Sequence, residues 1–219
     1  MIELYGFGKV HKAVAGLTRD LRILWTLEET GAAYRVHEID HFAGDNKAKS
    51  YHALNPFEQI PTIKDDDLVL TESGAIVLYI AEKQGRLIPK DLRGRAEVMR
   101  WCFAALTTVE PPLAFKFLMP APKDSSDTKS QDQLASWTER VLRPMDERLG
   151  SQDWLATDQF TVADILFCSV LRLGKRAGVL DPYRNLNTYR TRCEERPAWG
   201  KIVAEYEDRL GYPRGTASF

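Results

Sequence analysis

The chain has 219 residues, 44% of them hydrophobic, which is enough for one large domain or two small ones and rules out a fibrous or disordered protein. Its 30 lysines and arginines against 31 aspartates and glutamates give a formal charge of −1, so no global basic field exists to hold a polyanion, which argues against a dedicated nucleic-acid binder. No stretch approaches the roughly 18 to 20 apolar residues that span a bilayer, and the start Met1-Ile2-Glu3-Leu4-Tyr5 lacks the basic and apolar regions of a secretory signal, so the expectation is a soluble, cytoplasmic protein with no membrane partner.

Ile2 to Phe7 is a short β-prone run. From Thr18 a helix is expected, with Leu21, Leu24 and Trp25 on one face and Ile23 with Leu27 on another; apolar over so much of its girth, it should pack on a sheet. Gly31 ends it, and Tyr34 to Ile39 reads as a second strand. His41 to Leu54 is polar and reads as an exposed loop with a short irregular helix. Asn55-Pro56 is a turn, Pro61 to Lys64 a short strand, Asp65-Asp66-Asp67 a turn, and Leu68 to Thr71 the returning strand of a hairpin. Ser73 opens a helix with Ile76, Val77, Ile80 and Ala81 on its apolar face. The order βαβ-(α)-ββα is that of an α/β thioredoxin-like fold, here over residues 1–83.

Residues 84–94, with two glycines, a proline and a run of charge, read as a linker. Residues 95–219 read as an all-α domain. Arg95 to Leu118 is expected as one long helix kinked at Pro111-Pro112, and Pro120 to Asp132 as a polar loop. Gln133 to Leu149 should be a helix with Leu134, Trp137, Val141 and Met145 inward and a kink at Pro144, and further helices are expected near 161–177, 183–195 and 198–210.

The cysteines, Cys102, Cys168 and Cys193, are few, far apart and without a CxxC partner, which suits reduced buried thiols. Asn55-Pro56-Phe57-Glu58-Gln59-Ile60-Pro61 makes Ile60-Pro61 a candidate cis bond, which would turn the Ile60 backbone outward to pair with an extended peptide ligand; the alternative is an ordinary loop. At Glu72-Ser73-Gly74-Ala75 a strand hands over to a helix whose free amides suit a carboxylate, with Glu72 suited to a neighbouring ammonium. Taken alone, Ser73 is better explained as a helix cap. Thr18 lies near a helix N-terminus whose field favours a thiolate, though capping explains it as well, and Tyr5 is the other hydroxyl that could face the same place if it is not simply core. The four histidines match no usual metal spacing, so no metal site is expected. Thr161 and Asp164 form a capping box with Phe160 and Ile165 as its staple, a helix-stabilising motif.

Together these pieces resemble the cytosolic glutathione transferase family of the bacterial kind. The resemblance rests on Leu54-Asn55-Pro56-Phe57-Glu58-Gln59-Ile60-Pro61-Thr62-Ile63, on Leu70-Thr71-Glu72-Ser73-Gly74-Ala75-Ile76, on Phe160-Thr161-Val162-Ala163-Asp164, and on Tyr183 through Tyr189 to Arg196-Pro197-Ala198-Trp199. It implies a cis Pro61, an Ile60 backbone paired with the cysteinyl part of glutathione, and Glu72 and Ser73 on the γ-glutamyl end. Gln59 would touch the tripeptide backbone or its glycyl end, and Lys47 the glycyl carboxylate. Thr18-Arg19-Asp20-Leu21-Arg22-Ile23-Leu24-Trp25 is similar to a stretch whose first serine donates a hydrogen bond to the thiolate, and Thr18 takes that place, with Tyr5 as runner-up. The implied cosubstrate is glutathione without a metal, activated as thiolate to attack a small hydrophobic electrophile beside Glu110, Phe115 and Phe117. The alternatives on this fold are a dehalogenase, isomerase, ether-cleaving enzyme or peroxidase using the same thiolate, or a non-catalytic glutathione-binding protein. With no cysteine before Cys102, disulfide chemistry on the enzyme itself is disfavoured. The family implies a homodimer that buries the N-terminal hairpin against the partner's long helices.

Overall fold

A computed structural model gives the structure of residues 1–119 and 128–218. In chain order the elements are β1 (Ile2–Lys9), α1 (Asp20–Thr30), β2 (Tyr34–Asp40), α2 (Lys49–His52), β3 (Thr62–Asp65), β4 (Leu68–Leu70), α3 (Ser73–Gln84), α4 (Leu92–Phe103), a π-helical segment Ala104–Val109, α5 (Glu110–Leu118), α6 (Thr128–Leu149), α7 (Val162–Arg176), α8 (Arg184–Glu194) and α9 (Pro197–Arg209). Two compact units result: Met1–Ile88 with Glu195–Phe219, and Pro89–Glu194. A single cut at 84–94 would leave 95–219 as one helical domain, whereas residues 195–219 group with the first unit.

The first unit is built on a sheet of order β2-β1-β3-β4, with β1 and β2 parallel and the other pairs antiparallel. Parallel neighbours need a crossover, and α1 supplies it. Period-two alternation along β1 buries Ile2 and Leu4 on one face, while Tyr5 and Phe7 on the other pack against Ile39, Tyr51 and Ile60. Gly31 closes α1 in the left-handed conformation (φ 72°), its amide and that of Ala32 reaching the carbonyls of Glu28 and Leu27. Leu21, Ile23, Leu24, Trp25 and Leu27 are all buried, because α1 packs against α3 and also against α9. Trp25 meets Trp199 with ring centroids 4.6 Å apart. Arg196 grips Glu29 through two bonds of 2.6 and 2.7 Å, and Lys201 pairs with Glu28 at 2.8 Å. The wide apolar girth of α1 therefore serves two helices, α3 and α9.

In the second unit α7 is the central helix, with Val162, Ala163, Ile165, Leu166, Phe167, Val170 and Leu171 buried against α4, α5 and α8. Its capping box forms as the sequence implies: Asp164 Oδ2 accepts from the Thr161 amide (2.8 Å) and hydroxyl (3.0 Å), while Oδ1 accepts from the Leu155 amide (2.8 Å) and the Tyr189 hydroxyl (2.7 Å). Between α4 and α5 the chain stays helical but passes through the π-helical segment 104–109, ahead of the prolines. Pro111 and Pro112 instead sit in the first turn of α5, where a missing amide costs least. Helix α6 starts at Thr128, so the end of the expected 120–132 loop is helical, and 120–127 lie outside the described residues. The helix continues through Pro144 and buries Thr138, Leu142, Met145 and Leu149, leaving Leu134, Trp137 and Val141 half-buried. No helix among the described residues is long and apolar enough to cross a membrane.

Candidate functional site

The expected site residues of the first unit lie on the start of α1, on β1, in the loop into β3 and at the head of α3. Thr18 is half-buried two residues before α1, whose N-cap position is held by Arg19 without a side-chain cap bond. Thr18 is therefore not a helix cap: its Oγ1 lies 2.8 Å from the hydroxyl of Tyr206 on α9. The first helical residue, Asp20, is fully buried, and its Oδ2 accepts from the Phe7 amide at 3.0 Å and from Arg209 at 3.3 Å. This carboxylate already occupies the positive pole of α1, so a thiolate placed there depends on the nearby hydroxyl more than on the helix field alone.

Tyr5 lies half-buried among aromatic rings, stacked on His37 at 4.9 Å and edge-on to Tyr51 at 6.1 Å. Burial, then the charge of Glu3, pushes its hydroxyl pKa up, so it keeps its proton. His41 stands edge-on to Phe7 at 6.4 Å, and among the described residues no three potential ligands converge as a metal site.

The loop before β3 carries a cis Ile60-Pro61 bond. Three polar side chains hold it from inside. Tyr51 and Asn55 each donate to the Gln59 carbonyl at 2.7 Å, and Asn46 donates to the Glu58 carbonyl at 3.0 Å. Asn55 also accepts from the Phe57 amide at 3.0 Å, the Asx turn that Asn-Pro signals. Ile60 and Pro61 are buried while the Gln59 side chain is exposed. Lys47 is exposed at the end of a 3-10 turn, Asp45–Lys47.

Ser73 is the first residue of α3, not its cap; the N-cap position belongs to Glu72, at φ 64° and ψ 112°. The Ser73 hydroxyl is buried and accepts from Arg22 at 3.1 Å, which ties the head of α3 to α1. Glu72 is exposed beside the unpaired first amides of a 12-residue helix, a pairing of carboxylate and amide donors that matches an ammonium next to a carboxylate.

In the second unit Glu110 is buried at the head of α5, Phe117 is half-buried and Phe115 is exposed. Phe115 borders an open cavity of about 970 Å³ between α5 and α6, with Met119, Leu134, Trp137, Lys129 and Arg140. Of the three residues expected to meet the electrophile, the cavity takes in Phe115. All three cysteines are free and buried, and burial, followed by the charge of Asp164, pushes the Cys102 thiol up to about 12. Sequence reasoning missed Tyr206, Arg209, Asn46 and Tyr51. Only Asn55, through its turn with Pro56, carried a local signal.

Comparison with known proteins places the chain in a family. Residues 11–82 match the glutathione S-transferase N-terminal domain and residues 106–197 its C-terminal domain. Glutathione S-transferase F9 of Arabidopsis thaliana is 32% identical over 202 residues, covering 84% of this chain and 92% of the relative. The disulfide-bond oxidoreductase YfcG of Escherichia coli is 28% identical, covering 83% and 88%. Among solved structures, a glutathione transferase of Pseudomonas putida, with one glutathione disulfide bound per subunit, superposes with a TM-score of 0.79 at 25% identity, covering 92% of this chain and 90% of that one. The chain belongs to the glutathione S-transferase family.

Proposed function

We propose that this glutathione transferase activates its cosubstrate through the Thr18 hydroxyl, with Glu72, Ser73, Ile60, Pro61, Gln59 and Lys47 holding the tripeptide. The observation that carries the reading is the convergence at the head of α3: an exposed carboxylate, a buried hydroxyl fixed by Arg22, and free helix amides. The γ-glutamyl end of glutathione offers the ammonium and carboxylate that such a set receives. The Ile60 backbone supplies strand-like donors and acceptors to the cysteinyl part, and the loop's inner carbonyls are already taken by Asn46, Tyr51 and Asn55. Glutathione sulfur then loses its proton to solvent, attacks a hydrophobic electrophile to form a carbon–sulfur bond, and the leaving group departs with the electron pair. Pro61, Glu110, Phe115 and Phe117 remain as proposed, the last three for the electrophile, with Tyr5 the runner-up for the hydroxyl role.

A homodimer in the cytoplasm belongs to the same proposal. Phe57, Leu68 and Val69 of the loop and hairpin, and Leu92, Met99 and Phe103 of α4, are large exposed apolar residues that such an assembly would cover. A sedimentation mass near that of one chain defeats the dimer. Kinetics of glutathione conjugation to a chloronitrobenzene test the hydroxyl. Thr18→Ala should lower kcat/KM at pH 7 by roughly 10- to 100-fold, the worth of a hydrogen bond to a charged sulfur, with Tyr5→Phe close to wild type. An unchanged Thr18→Ala together with an inactive Tyr5→Phe reverses the assignment.

A further inference from the structure

Tyr206 sits on α9, far along the chain from the proposed thiolate site, yet its hydroxyl meets Thr18 Oγ1 at 2.8 Å. Its side chain is fully buried. The backbone amide of Gly16 also donates to the phenol oxygen. A phenol has a single proton, and a buried one needs an acceptor. If Thr18 donated to Tyr206, the phenol oxygen would accept twice and its own proton would be left without a partner in the interior. If Tyr206 donates to Thr18, every group is satisfied: the Gly16 amide reaches the phenol oxygen, and the phenol proton reaches Thr18 Oγ1. The half-buried Thr18 then has its own proton free for the open side.

We propose that Tyr206 is a positioning residue that fixes the direction of the Thr18 hydroxyl, so that Thr18 presents its proton, rather than its lone pairs, to the glutathione sulfur. This rests on the reading of Thr18 as the thiolate donor. The groups that face the pair are Asp20 at the head of α1 and Arg209 on α9, which bond each other at 3.3 Å. Burial and then the negative charge of Asp20 push the phenol pKa up, so Tyr206 remains a donor throughout the working pH range. The threonine methyl holds the rotamer that the phenol selects. A donor bond into Thr18 also polarises its hydroxyl, strengthening the next bond in the chain.

The test is the thiolate absorbance of bound glutathione titrated against pH in wild type, Thr18→Ala, Tyr206→Phe and the double variant, with S-methylglutathione affinity measured in parallel. Tyr206→Phe should raise the bound-thiol pKa and lower kcat/KM at pH 7 by about fivefold, leave S-methylglutathione binding unchanged, and add nothing further in the Thr18→Ala background. Thr18→Ser should keep both the low thiol pKa and its sensitivity to Tyr206→Phe. A shift on Thr18→Ala with none on Tyr206→Phe overturns the positioning role while leaving the Thr18 reading intact, and so does an equal rise from Tyr206→Phe in both backgrounds. A wild-type complex whose thiol titrates like free glutathione, or a Thr18→Ala complex identical to wild type, removes the underlying reading and this one with it. Should Tyr206→Phe fail to fold, fluorotyrosine placed at position 206 keeps the shape and strengthens the donor. The bound-thiol pKa should then fall below wild type, and no change or a rise overturns the proposal.

Discussion

Glu72 holds a left-handed backbone, φ 64° with ψ 112°, at the N-cap position of α3, and its exposed side chain buries nothing. A non-glycine residue in such a region costs of order 1–3 kcal/mol, and glycine there would remove that strain at an entropic penalty of about 0.5–1 kcal/mol. Comparing Glu72→Gly with Glu72→Ala cancels the loss of the carboxylate, so the glycine variant should be more stable than the alanine variant by about 0.5–2 kcal/mol. Urea unfolding at neutral pH reads this as a higher midpoint at unchanged slope. Glutathione affinity should fall in both variants alike, by roughly 10- to 100-fold for one lost charge-assisted bond to the ammonium. The strained backbone would thus be kept because it aims a carboxylate at the ligand. An alanine variant as stable as the glycine variant would show that the backbone is relaxed, and full glutathione affinity in either would remove Glu72 from the site.

Three further outcomes follow from the geometry. Asp164→Ala leaves the Leu155 amide, the Thr161 amide and the Tyr189 hydroxyl without their acceptor in a buried place; stability should drop by about 3–5 kcal/mol in urea titration, and a drop under 1 kcal/mol would contradict the cap. At Asp65, burial pushes the carboxyl up, but the Lys83 ion pair and the Tyr79 hydroxyl at 2.8 Å outweigh it and hold the pKa below the usual carboxylate range. The native state therefore binds fewer protons than the unfolded one in mild acid, and this stabilisation, present above about pH 4, is lost as pH falls through the native pKa. Asp65→Asn should flatten the acid limb of stability against pH; a limb as steep as wild type refutes it. The buried thiols, with Cys102 pushed up to about 12, should resist a thiol reagent in the folded protein and react on unfolding, with conjugation unaffected by the treatment. Loss of conjugation on labelling would give a cysteine a role denied to it here.

Local pattern made the frame of the molecule legible. The period-two run of β1, the closing Gly31 of α1, the Asn55-Pro56 turn and the Thr161–Asp164 box each act within a few residues, and each forms. What did not show in the sequence depends on long chain separation. Thr18 and Tyr206 are 188 residues apart and Asp20 and Arg209 189, and no periodicity announces that α9 packs on α1. The excess apolar girth of α1 was the one trace of that contact, and a sheet explained it equally well. Thr18 and Ser73 both read as caps because a hydroxyl near a helix start usually is one; in the structure their hydroxyls turn to Tyr206 and Arg22. The irregular turn also lies away from the prolines, since nothing in Ala104–Val109 signals π-helical winding, whereas Pro111-Pro112 signals strongly and is absorbed by a first turn.

The central claim is that this chain binds glutathione and holds its sulfur as a thiolate by the start of α1. The most direct measurement is the pH titration of thiolate absorbance for glutathione bound to the wild-type protein, with the sulfur-free tripeptide as blank. The account predicts a bound-thiol pKa of about 6–7, against about 8.5 for an unperturbed thiol. Binding with an unshifted pKa would contradict thiolate activation and leave a glutathione-binding protein.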